Sequence, residues 1–109
     1  MLQVIDFSPD GEKPDWELGE PWDFVQLVMV TIGKGEAGNN YYLYLCTPSS
    51  IDRVEDKSIS FMIDSWESED KTIQQINNFL QEKLEENVKD DPYHHLSKYW
   101  QWEYAEYNS

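Results

Sequence analysis

Residues 24–46 read FVQLVMVTIGKGEAGNNYYLYLC, and this stretch decides the fold. Positions 24–32 are rich in β-branched residues and apolar on both alternations, the pattern of a central strand covered on both faces. Positions 41–46 are a second such run. Between them Gly33, Gly35, Gly38, Asn39 and Asn40 tolerate the positive φ angles of a chain reversal. Residues 33–40 are therefore predicted as the loop of a hairpin.

Working outward, Leu2, Val4, Ile5 and Phe7 predict a short first strand. Residues 8–23 hold Pro9, Gly11, Pro14, Gly19 and Pro21 among carboxylates and read as a loop. Trp16, Leu18 and Trp22 are expected to pin that loop to the core. On the other side Pro48 ends the second run, and 49–55 is expected to make a short helical turn. Ile59, Phe61 and Ile63 alternate with polar or smaller neighbours and predict another strand. Ile73, Ile76, Leu80, Leu84 and Val88 recur every three or four residues, so a helix is predicted over about 70–89. Ser68 or Asp70 would cap it, and the acidic residues there suit the helix dipole. Asp91 and Pro92 read as N-cap and first residue of a second, short helix reaching about Tyr99. Trp100, Trp102 and Tyr104 then alternate with Gln101, Glu103 and Ala105 as a closing strand. Hairpin order with late helices predicts one α+β domain over 1–109. Its antiparallel sheet would have about four or five strands, with helices packed on one face.

The chain has 109 residues, one domain's worth, and carries 22 Asp+Glu against 8 Lys+Arg, for a formal net charge of −14. Scattered cations offer no basic patch for phosphates, so direct nucleic-acid binding is not expected. No apolar run reaches the length of a membrane span, and the charge disfavours docking on an anionic bilayer. Such acidity also raises the question of disorder. Five Trp, seven Tyr and four Phe answer it in favour of a folded domain, because each buried ring removes a large area from water. A lone cysteine, Cys46, and the absence of a basic-then-apolar leader point to the cytoplasm.

The motifs that resemble chemistry have simpler readings. Gly33-x-Gly35-x-x-Gly38 matches a dinucleotide-binding fingerprint, but that site needs a helix to follow, and a strand follows here. His94 and His95 are adjacent, about 100° apart on a helix, and no further ligand supports a metal. Cys46 ends an apolar strand and reads as inert packing. No acid/base couple stands out among so many carboxylates. Hence no cofactor, no metal and no catalysis are expected.

The charge itself is the informative feature. A globule of this mass exposes roughly 6,300 Å², leaving about one uncompensated charge per 450 Å². Repulsion at that density destabilises the folded state, which points to a cationic partner and fast, steered association. The acidic runs 64–70 and 82–86 supply the expected contact residues: Asp64, Glu67, Glu69, Asp70, Glu82, Glu85 and Glu86, with Trp66 as aromatic anchor.

The hairpin from Leu27 through Gly33-Lys34-Gly35-Glu36-Ala37-Gly38, the Cys46-Thr47-Pro48 that follows, the late amphipathic helix and the closing Trp102-Glu103-x-x-x-Tyr107 together resemble the immunity protein 8 family of bacterial polymorphic toxin systems. The likeness spans nearly the whole chain. It implies a small cytoplasmic inhibitor that binds and silences the C-terminal domain of a cognate secreted toxin. Such toxins are often nucleases, whose sites are basic because they hold phosphates. Gly33, Gly38, Cys46, Pro48 and Trp102 match the family pattern and read as scaffold. Self-association is compatible with this expectation. The alternative is an acidic mimic of nucleic acid that occupies a DNA- or RNA-binding groove. A small hydrolase, the third class, would need a pocket of perturbed titratable groups.

Overall fold

A computed structural model describes residues 2–35, 37–85 and 91–103. Its spine is the predicted hairpin, β2 (Val25–Lys34) and β3 (Ala37–Cys46), paired without interruption from Val25↔Cys46 to Lys34↔Ala37. The expected eight-residue loop is thus a two-residue connection. Gly33 and Gly38 are ladder residues that face each other across the strands rather than turn residues. A Cβ on Gly33 would collide with the Ala37 carbonyl, and one on Gly38 would lie 2.7 Å from the Ile32 carbonyl oxygen. In that connection Gly35 takes a positive φ, +60°.

β1 (Gln3–Pro9) adds antiparallel to β2, with a bulge at Ile5 between the pairs Val4↔Ile32 and Asp6↔Thr31. Its outer edge is closed in part by a side chain, since the Val4 N–H donates to Asn77 Oδ1 at 2.8 Å. The other edge of the sheet, along β3, is shared end to end. β5 (Gln101–Trp102) pairs antiparallel with Tyr41 and Tyr42, and β4 (Ser60–Met62) pairs with residues 44–46. β4 runs parallel to β3, an exception in a sheet whose other pairings are antiparallel. Two 3₁₀ segments, Pro48–Arg53 and Lys57–Ile59, carry the chain back before it re-enters the sheet. The second also shortens the strand. Asp56 caps it by accepting from Ser58 N–H at 3.0 Å, so extended pairing begins only at Ser60. The α+β domain, its five strands and its one-sided helices otherwise stand as expected.

One face of the sheet forms the core. Val28, Val30 and Ile32 of β2 meet Tyr41, Leu43 and Leu45 of β3, all fully buried. α2 (Glu69–Glu85) lays Ile76 and Leu80 over them, and α3 (Pro92–Leu96) adds Leu96. Ser68 Oγ accepts from Lys71 N–H at 3.1 Å and so caps α2, while Asp91 caps α3 through Tyr93 N–H at 2.9 Å. Trp100, 1% exposed, packs among Tyr41, Phe61 and Phe79. Val88, Lys89 and Tyr104 of the predicted elements lie outside the described residues.

The opposite face corrects the doubly covered reading of β2. By alternation it presents Leu27, Met29 and Thr31 beside Tyr42 and Tyr44, each only half-buried, while α2 and α3 lie on the core side. The 8–23 loop contains a one-turn helix, α1 (Asp15–Leu18), and only one of its three expected anchors points inward. Trp16 is buried. Leu18 and Trp22 are 69% and 62% exposed. Leu18 sits two residues past Trp16 on a helical turn and so faces the other way. Trp22 rides the tip of a turn closed by Asp23 N–H to the Glu20 carbonyl at 3.1 Å.

Candidate partner interface

The expected contact residues fall into two groups at opposite ends of α2. Asp70 and Glu82 are twelve positions apart, about 18 Å of helix. Beyond Lys71, the exposed side of α2 between them is uncharged: Gln74, Gln75, Asn78 and Gln81. Acid at both ends and amide in the middle makes two patches, not one continuous stripe.

At the N-terminal end Asp64, Glu67, Glu69 and Asp70 are all exposed. Glu69 and Asp70 occupy the first turn of α2, where they favour the positive end of the helix dipole. Glu67 is paired with Lys71 one turn on; both are about half exposed, so the pair is weak. Trp66 is half-buried and turned inward. Its ring stacks on Trp16 with centroids 3.7 Å apart and planes 9° from parallel, and Phe7 lies 6.2 Å away. That ring is engaged with the protein's own core.

The freely projecting aromatic of this end is Trp22. Its turn is fixed from three directions. Trp66 N–H donates to the Pro21 carbonyl at 2.8 Å. Ser49 Oγ reaches the Trp22 carbonyl at 3.2 Å and Asp23 Oδ1 at 2.8 Å. Arg53 pairs with Asp23 at 3.1 Å. The Ser49 hydrogen bond, then Arg53, hold the Asp23 carboxyl below its ordinary range. The signal missed in the sequence is Glu20-Pro21-Trp22-Asp23, with proline at the second position of a turn.

At the C-terminal end Glu82 and Glu85 are exposed, and Glu86 lies outside the described residues. Glu85 borders a cavity of about 630 Å³ lined also by Leu2, Lys34, Leu84 and Tyr93.

A third surface was not singled out by sequence at all. On the open face of the sheet, a depression of about 160 Å³ is lined by Ser8, Asp10, Met29 and Tyr42. Carboxylates surround this face. Asp6 stands opposite Thr31 in the register. Glu103 accepts from Asn40 Nδ2 at 2.7 Å. Glu55 accepts from the Tyr44 hydroxyl at 3.2 Å.

The remaining motifs take structural places. Gly33-x-Gly35-x-x-Gly38 is the hairpin, with β3 rather than a helix after it. Cys46 is buried 3.9 Å from the Phe61 carbonyl oxygen, and burial pushes its thiol up. His94 and His95 diverge, edge-on to Trp102 and Tyr99 respectively. Among the described residues no group of three or more His, Cys, Asp or Glu could hold a metal ion, and no helix is long and apolar enough to cross a membrane. No family model matches this chain, and neither a curated protein nor a solved structure matches it.

Proposed function

We propose that this protein is a binding inhibitor of the immunity type: it silences a basic toxin domain, of the nuclease class, inside the cell that makes both. The observation that carries the reading is the charge. Eight cations cannot neutralise 22 carboxylates, and the excess gives −14 on a single small domain. A surface so one-sided attracts a cationic protein over distances near the Debye length and orients it before contact. A nuclease groove, built to hold phosphates, is such a surface. The motif resemblance to immunity protein 8 points the same way on separate grounds.

The test is co-expression with the toxin domain encoded beside this gene. Growth rescue together with co-purification supports the reading. Association should slow steeply as salt rises from 50 to 500 mM. The same association should slow at least about tenfold when Asp64, Glu69 and Asp70 are changed together to Asn or Gln. A toxin that still kills in the presence of this protein, or a complex indifferent to salt, refutes it. Capture of a host DNA- or RNA-binding factor in place of the toxin would assign the nucleic-acid-mimic alternative instead.

A further inference from the structure

The open face of the sheet has the anatomy of a protein interface: apolar in the middle, charged at the margin. We propose that this face, centred on the cross-strand neighbours Met29 and Tyr42, is where a basic protein partner docks, with one of its Arg or Lys side chains seated in the depression between them and Asp10. The inference rests on the inhibitor reading for the partner's identity, but not for its chemistry.

Three observations lead here. First, β2 is as apolar on this side as on the core side, yet this side is only half-buried. Tyr and Met, which dominate its middle, are the residue types that interfaces enrich. Second, the depression of about 160 Å³ is lined by Met29, Tyr42 and the acidic residue Asp10. A basic side chain lays its aliphatic stem along apolar surface and keeps its charge at a polar rim. Here the stem would cross Met29 and the face of Tyr42, which favours a cation, and the charge would end at Asp10. The rim is also stiffened: Asp10 N–H donates to the Leu27 carbonyl at 2.9 Å, and its own carbonyl accepts from Gln26 Nε2 at 2.9 Å. Third, the outer margin is acidic on several sides, through Asp6, Glu55 and Glu103. Charge complementarity selects a cationic occupant. It also disfavours a second copy of this chain, whose rim would meet like charge.

The experiment uses amide chemical-shift mapping of the full chain with two probes. The first is a short amphipathic peptide of arginine and leucine, which needs no knowledge of the natural partner. Shifts centred on residues 8–10, 27–31 and 40–44 support the proposal. These shifts should vanish in Met29→Thr/Tyr42→Thr, two substitutions that retain strand preference, and persist in Glu82→Gln/Glu85→Gln. Shifts confined to either end of α2, or spread evenly over all acidic residues, overturn it. The second probe is the toxin domain encoded beside the gene. Loss of at least about thirty-fold in affinity is expected for Met29→Thr/Tyr42→Thr, as for interface hot spots. Full affinity in that variant, with an unchanged thermal midpoint, overturns the proposal. If the toxin domain fails to bind wild-type protein while the peptide maps to this face, the toxin reading falls and the docking surface stands.

Discussion

The two faces of the sheet are built from the same strands and the same residue classes, yet they have different fates. On one, Val28, Val30, Tyr41 and Leu43 vanish under α2 and Trp100. On the other, Leu27, Met29, Tyr42 and Tyr44 stay within reach of solvent. The first face is where the chain gains stability. The second retains apolar area that folding has not used. An apolar alternation therefore reports that a face is to be covered, and does not say by what.

Substitutions should separate the faces by the size of their effect on folding. The largest loss is expected for Trp100→Ala, which empties a fully buried ring site and should cost about 3–5 kcal/mol in urea denaturation. Tyr41→Phe keeps the ring and removes the hydroxyl that donates to the Tyr93 carbonyl at 2.8 Å; about 1 kcal/mol is expected at neutral pH. Burial, and secondarily the neighbouring Tyr93 and Asp91, push the Tyr41 phenol well above its ordinary range. Its neutral form is thus favoured in the folded state. The associated stability is complete below about pH 10 and declines as pH rises beyond. Tyr41→Phe should flatten that alkaline decline, read as the denaturation midpoint between pH 9 and 11. The smallest effect belongs to the open face: Met29→Thr/Tyr42→Thr should shift stability by no more than about 1 kcal/mol. A loss as large as that of Trp100→Ala would erase the distinction between the faces.

Much of the architecture could be read beforehand because it rests on local chemistry. The hairpin followed from two apolar runs around glycines, the long helix from the spacing of Ile73, Ile76 and Leu80, and the short one from Asp91-Pro92. Longer-range outcomes could not. The parallel entry of β4 depends on how two 3₁₀ turns return the chain, and no residue pattern marks that. Trp66 and Trp22 are alike in composition and context, both flanked by acid. Yet one is stacked on Trp16 and the other stands at a turn tip, a difference set by tertiary neighbours. The electrostatic character of the candidate site was legible from counting. Its layout was not, because the exposed amides of α2 that divide the acidic ends become a divider only once the helix is seated on the sheet.

Asn77 has an effect beyond the single hydrogen bond it makes. By occupying the Val4 amide, beside the bulge at Ile5 and ahead of Pro9, it leaves β1 with no straight row of donors for another chain to copy. Copies of this chain that meet at high concentration thus find a broken edge there, not the continuous template from which fibrils grow.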